Sequence, residues 1–283
     1  MMNQRDMVAA KDETRAIWNR MAPGWEDIRD AIWSDSRPIG EWLVDKLAPQ
    51  PGDTVLDIAA GVGDTGLLAA RRIAPTGRVI ITDFAPAMVE AARRRAAELG
   101  ITNVEFRVLD AEKMDLPTRS VDGVLCRWGY MLMFDPGAAF AETRRVLRPG
   151  KRLAFSVWAG PEDNPWASLI TPILLSRGLM APPEPNAPGI FALADRGRLE
   201  RLVRGAGFNR VEIEAVPANR RFASFEEFWR YLTDLAGAVS PILRGLSESD
   251  RASVQAALRA AAEPYRVGDG YVVPCLCLNT LAG

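Results

Sequence analysis

The sequence predicts a doubly wound α/β fold, a parallel sheet with helices on both faces, and three observations predict it. Short apolar runs alternate with helical patterns from residue 54 onward, the rhythm of βαβ units. Glycine and proline punctuate nearly every junction. The length of 283 residues suits one enlarged domain with additions.

Taken in order, residues 1–48 read as an N-terminal helical cover. Trp18, Trp25, Trp33 and Trp42 are spaced 7, 8 and 9 residues apart, and Pro23-Gly24 should break the helix between the first two. The cluster Pro49-Gln50-Pro51-Gly52-Asp53 introduces a first buried strand, Thr54 to Ala59. A glycine turn and a helix to Ile73 follow, then a second strand, Arg78 to Phe84. Pro86 opens a helix that Gly100 stops, although Ala85 is a poor N-cap. Asn103 to Leu109 and Val121 to Cys126 are the third and fourth strands. Asp135-Pro136 caps a helix that ends at Arg148-Pro149-Gly150, and Arg152 to Trp158 is the fifth strand. Beyond it come a helix over Asn164 to Arg177, a loop over Ala181 to Gly189, a helix over Asp195 to Ala206 and a sixth strand over Arg210 to Val216. Residues 222–268 form a helical insertion, a lid or dimer surface, broken at Pro241 and Gly245. Residues 269–283 hold the last strand, which Pro274 should confine to an edge or a bulge. The core then spans 49–221 and is completed by that last strand.

Composition excludes more than it selects. Histidine is absent, which removes His general bases, Ser-His-Asp and Cys-His nucleophiles and His metal sites. Cys126, Cys275 and Cys277 lie in apolar runs without CxxC spacing and read as buried free thiols of a reducing compartment; no metal is implied. A net charge of −1 leaves no electrostatic footprint for nucleic acid. No signal-peptide core and no membrane-length apolar stretch occur, so the expectation is a cytoplasmic protein.

The chemistry concentrates after the first strand. Gly61, Gly63 and Gly66 satisfy GxGxxG between strand and helix, and Asp83 ends the second strand 22 residues after Gly61. Taken alone this is a nucleotide-binding fingerprint, with the acid placed for ribose hydroxyls. A dinucleotide would put pyrophosphate beside Asp57 and Asp64, where carboxylates repel it. The ammonium and sulfonium of S-adenosylmethionine would be attracted instead. Asp110 and Ala111, ending the third strand, could read an adenine edge. Asp122 lies in the fourth strand before Arg127 and Trp128, where an acceptor would face the methyl group.

With VLDIAAGVGDT, VIITDFAPAMVEAARRR, VEFRVLDAEKMDLP and RRVLRPGKRL in this order, the chain resembles class I S-adenosylmethionine-dependent methyltransferases of the methyltransferase-11 type from about Ala16 to Phe208. Within them it is most similar to the ubiquinone and menaquinone C-methyltransferase branch. It departs from that branch at Lys151, Val157 and Ala159. The resemblance implies a Rossmann-like seven-stranded sheet and transfer of a methyl group to a small-molecule acceptor. It implies that Asp57 to Gly63, Ala59 included, cradle the methionine part, that Asp83 with Phe84 takes the ribose, and that Met88, Asp110 and Ala111 hold the adenine. The N-terminal tryptophans either staple their helices onto the body or act at the site, with Trp18 or Trp25 as a lid on the cofactor and the others in an apolar acceptor pocket; Arg127 would border the cofactor. An NAD(P)-dependent oxidoreductase and a non-catalytic S-adenosylmethionine-binding protein remain the alternatives. For a general base, Glu26, Asp30, Asp35 and Tyr130 are the candidates near the expected mouth. Trp128, Trp158 and Trp166, at or after strand ends, are either pocket or core. Trp229, on the apolar helix face Phe225, Phe228, Trp229 and Leu232, is a candidate acceptor contact. A homodimer is possible.

Overall fold

The structure is a computed structural model and describes residues 4–182, 184, 187–235 and 239–283. Parts of the expected Ala181–Gly189 loop, at 183, 185 and 186, and of the helical insertion, at 236–238, lie outside the described residues, as do residues 1–3 of the cover.

The cover consists of α1 (Gln4–Asp27) and α2 (Arg29–Leu47). Alternation then runs β1 (Thr54–Asp57), α3 (Asp64–Ile73), β2 (Arg78–Asp83), α4 (Pro86–Glu98), β3 (Val104–Val108), β4 (Val121–Arg127), α5 (Pro136–Val146) and β5 (Leu147–Trp158). After two short helices, α6 (Pro165–Ser168) and α7 (Ile170–Ser176), come α8 (Arg196–Gly205) and β6 (Val211–Phe222). The insertion is α9 (Phe225–Leu235), α10 (Val239–Arg244) and α11 (Glu248–Ala262), and β7 (Arg266–Val267) with β8 (Gly270–Ala282) close the chain.

The strands order as β3-β2-β1-β4-β5-β8-β6, with the two-residue β7 paired to β8 off this path. β1 to β5 are mutually parallel, and β8 runs antiparallel between β5 and β6. Val55, Leu56 and Val79 to Ile81 are buried, as expected of strands covered on both faces. Strand order reverses between β1 and β4, so a crevice opens there at the carboxyl ends of the strands.

Four local expectations change. Proline does not break α1 at Pro23; the helix runs on to Asp27 because Met21 and Ala22 are buried beside it and this packing offsets the lost hydrogen bond. Pro241 lies inside α10, which ends before Gly245. β6 runs past Val216 to Phe222. β8 is internal, not an edge. Its Pro274 is tolerated because β5 pairs with β8 only from Cys277 onward, so Pro274 opposes β6 alone, at Asn219. Tertiary contact also mends the poor cap at Ala85: Ala87 N–H donates 3.0 Å to Asn19 Oδ1 from α1, and Ala85 N–H donates 2.9 Å to Asp83 Oδ1.

Candidate active site

A cleft of about 1530 Å³, its open mouth included, lies over the reversal point. The glycine turn forms its floor. Gly61 (φ +56°) faces open space where a Cβ would stand, and Gly63 (φ +89°) begins α3 with the Ala92 side chain 3.0 Å from its missing Cβ. Both conformations favour glycine. Two cleft residues without that freedom also have positive φ, Ala59 (51°) and Trp128 (64°), just beyond the ends of the adjoining β1 and β4. Strain of this kind costs about 1–3 kcal/mol per residue and clusters where a site needs it. Here it turns the Trp128 indole into the cleft.

Of the residues singled out in the sequence, Trp18, Trp25, Ala59, Gly61, Asp83, Phe84, Met88, Asp110, Ala111 and Arg127 line the cleft; Asp57 and Gly63 do not. Asp83 Oδ2 accepts from Gly61 N–H at 2.8 Å, which ties the turn to the end of β2. Burial raises its pKa while the amides of Ala85, Gly61 and Phe84 pull it down. Asp110 accepts from Glu112 N–H and from Lys11 Nζ, each within 2.9 Å. Lys11 also reaches Glu112 at 2.7 Å and so latches α1 over the cleft. Burial opposes the charge on Lys11, but these two carboxylates outweigh it and raise its pKa.

Asp57 is buried beneath the turn, with its carboxylate behind Gly66. A Cβ on Gly66 would stand 2.6 Å from Asp57 Oδ2, which is why the first turn of α3 carries a glycine there. Neither Asp57 oxygen has a well-formed hydrogen bond. Desolvation pushes its pKa up to about 8 against the pull of Arg127 and the Gly66 amide. Arg127 is buried too. It donates to Thr65 Oγ1 and Ser36 Oγ at 3.0 Å and lies 3.7 Å from Asp64.

None of the four base candidates lines the cleft. Glu26 pairs with Arg94 and Asp30 with Arg95. Asp35 pairs with Arg221. Tyr130 is fully buried, 2.7 Å from Thr143 Oγ1. Asp122 is likewise remote: it sits at the amino end of β4, bound to Thr54 N–H, Arg148 and Lys151, because a strand's two ends lie on opposite sides of the sheet. Trp33 and Trp42 lie outside the cleft, and Trp42 donates to Glu214.

The far half of the cleft is aromatic. Trp128 stacks on Trp158 at 4.3 Å, Trp158 meets Trp166 at 4.9 Å, and Trp166 meets Tyr231 edge-on at 5.9 Å. On α9 the cleft residue is Tyr231, not Trp229. Phe225, Phe228 and Leu232 are buried in the packing face, and Tyr231 stands one helical step to its side. Cys126, Cys275 and Cys277 are free and buried, and Cys277 Sγ accepts from the Trp128 indole. Lys11, Glu112, Tyr231 and Arg220 escaped the sequence reading. Arg220 alone had a signal: Val216, Ala218, Arg220 and Phe222 continue a period-two pattern past Pro217.

A glycine turn, an acid at the end of the next strand and a crevice at the strand reversal define a Rossmann-like nucleotide-cofactor protein. A profile described as "Methyltransferase domain" matches residues 55–150. The chain is 33% identical over 182 residues to the ubiquinone/menaquinone biosynthesis C-methyltransferase UbiE of Cupriavidus metallidurans, covering 60% of this chain and 74% of that one. It is 38% identical over 119 residues to the aklanonic acid methyltransferase DauC of a Streptomyces species, covering 42% of this chain. The match spans 54% of DauC, about half its length. The YcgJ protein of Bacillus subtilis shares the fold, with a TM-score of 0.56 and 18% identity over 86% of this chain and 96% of that one. The chain belongs to the class I S-adenosylmethionine-dependent methyltransferases. Among the described residues no helix is long and apolar enough to cross a membrane.

Proposed function

We propose that the protein transfers a methyl group from S-adenosylmethionine to a small-molecule acceptor with an apolar or aromatic part. One observation carries this reading: a single cleft joins the glycine turn, Asp83 and Asp110 to a chamber walled by Trp128, Trp158 and Trp166. The residues present fit the cofactor. Open space fronts Gly61, and neither oxygen of the buried Asp57 carboxyl has a well-formed hydrogen bond. When bound, the cofactor supplies a sulfonium-borne methyl group open to in-line attack. Asp83 retains lone pairs for vicinal hydroxyls after accepting two backbone amides. Met88 and Ala111 would bracket the adenine, with Asp110 at its edge. Asp57 would face the ammonium's charge from beneath the turn. Trp18 and Trp25 would close over the pair and exclude water, and Arg127 holds α2 and α3 in place behind it. Catalysis by positioning and desolvation requires no further reagent from the chain.

The names of the two relatives speak of aklanonic acid and of ubiquinone/menaquinone biosynthesis, and a wall of indoles suits a ring-bearing acceptor of that sort. A thermal-shift comparison of S-adenosylhomocysteine, S-adenosylmethionine and NAD tests the reading. A ligand at about 100 times its Kd adds roughly 2.7 kcal/mol, so the two adenosyl ligands should raise the melting temperature. A shift with NAD alone, or with none of them, refutes it.

A further inference from the structure

The aromatic chamber encloses a cation. Arg220, on β6, is 3% exposed and lines the cleft. Its guanidinium carbon lies 5.3 Å from the ring centre of Trp128, 5.7 Å from Trp158, 5.4 Å from Trp166 and 5.6 Å from Tyr231. Such contacts attract the charge through the ring quadrupoles, but aromatic rings do not satisfy five in-plane N–H donors. Nε has no hydrogen-bond partner, and among the described residues no carboxylate lies within ion-pair distance of Arg220. Asp35 borders a second cavity that Arg220 also lines, yet both its oxygens accept from Arg221, from the backbone N–H at 3.0 Å and the guanidinium at 3.1 Å. The other buried cation of the cleft, Arg127, has Thr65, Ser36 and Asp64 around it. Burying a charge without a partner is costly. Arg220 lines the chamber, so a planar guanidinium with a bidentate donor set borders whatever enters it.

We propose that Arg220 is the anion-recognition residue of the acceptor half, seating an anionic oxygen group, a carboxylate or phenolate, carried on the ring of an aromatic acceptor. The proposal rests on the methyl-transfer reading of the cleft and narrows its acceptor from aromatic to aromatic and anionic. A bidentate, charge-assisted contact in a water-poor chamber gives the discrimination. A neutral acceptor of the same shape would leave the guanidinium as unpaired as it is now.

The test uses 2-naphthoate and its near-isostere 2-naphthamide, titrated calorimetrically into the full chain with and without saturating S-adenosylhomocysteine. The expected result is naphthoate binding at least about tenfold more tightly than the amide. The preference should disappear in Arg220→Met and persist, weakened, in Arg220→Lys. Equal affinities, no naphthoate binding at millimolar concentration, or a preference that survives Arg220→Met would each overturn the proposal. Should Arg220→Met fail to fold, the wild-type pair together with Arg220→Gln decides. The S-adenosylhomocysteine arm separates the two readings. If that ligand binds and naphthoate is not preferred, the anion inference alone fails. If naphthoate is preferred and S-adenosylhomocysteine does not bind, Arg220 still reads anions and the methyl-transfer reading fails.

Discussion

Replacing Asp57 by Asn should make the ligand-free protein more stable while weakening its hold on the cofactor. Asp57 is 1% exposed, and desolvation lifts its pKa from 3.8 to about 8. A folded-state pKa above the unfolded value means that the folded chain retains a proton which the unfolded chain releases. Stability from this group is therefore intact below about pH 4 and falls as pH rises toward 8. At about 1.4 kcal/mol per pH unit the loss reaches up to about 4 kcal/mol at pH 7, and about 2 kcal/mol of it accrues between pH 6 and pH 8. Asn keeps the shape and removes the titration. Urea unfolding of both proteins without ligand, from pH 6 to pH 8, measures the difference; subtracting one curve from the other leaves Asp57 and its weaker coupling to Asp64 and Asp83, whose pKa values burial also raises. The Asp57→Asn variant should be more stable at pH 8, and its advantage should narrow by about 2 kcal/mol on going down to pH 6. Above pH 8, where Asp57 is ionised, the same variant should bind S-adenosylhomocysteine about tenfold more weakly, since it cannot answer an ammonium with a negative charge. A stability gap independent of pH, or a variant less stable at pH 8, would refute the reasoning.

Three further substitutions test the framework around the cleft. Gly66→Ala places a methyl 2.6 Å from Asp57 Oδ2 and 3.1 Å from Ile81 Cγ1; it should cost about 1–3 kcal/mol, read as a lower urea midpoint at unchanged slope. Asn19→Ala removes the partner of the Ala87 amide at the start of α4. A loss of about 1 kcal/mol, or about 2 °C in thermal melting, is expected. Trp25→Ala should weaken S-adenosylhomocysteine binding about tenfold by calorimetry, because an aromatic side chain dominates the surface it buries. Trp42→Ala, outside the cleft, should leave that affinity unchanged.

The parallel core was readable because strands covered on both faces must be apolar throughout, as Val55, Leu56 and Val79 to Ile81 are. Their order was not, since nothing local tells β8 to insert between β5 and β6. The proline rule misled for a related reason. It describes a residue's own hydrogen bond, whereas Pro274 is tolerated through the length of a neighbouring strand, and Pro23 through the burial of its neighbours. On the cofactor side the site was legible: turn, acid and strand ends follow one another in sequence. Trp128, Trp158 and Trp166 could be placed at strand ends but not oriented, and the structure turns all three into the cleft. Tyr231 was hidden, and Arg220 was signalled only by the period-two pattern that continues past Pro217. They come from β6 and α9, far along the chain, and reach the chamber only when the sheet closes over β8.

On the proposed methyl-transfer reading, the distribution of charge along the cleft accounts for a chain with no histidine that carries no base of its own. The three carboxylates of the cleft, Asp83, Asp110 and Glu112, gather at the cofactor end, and each is already engaged: Asp83 by two amides, Asp110 by Lys11 and an amide, Glu112 by Lys11 and the Phe134 N–H. Each is tied by these bonds to the cofactor end of the cleft. At the other end stands Arg220 among indoles. Methyl transfer from a sulfonium to an anionic oxygen or carbon destroys two opposite charges, and water, which stabilises both reactants, slows it. An apolar chamber would remove that solvation, and the guanidinium of Arg220, in the role proposed for it, would keep the acceptor ionised by lowering its pKa. The base is then the solvent, acting before the acceptor enters. If so, the rate at low acceptor concentration should follow the ionisation of the free acceptor, and no single carboxylate substitution in the cleft should abolish that pH dependence. A pH profile that moved with Glu112→Gln rather than with the acceptor's own pKa would assign the proton to the protein instead.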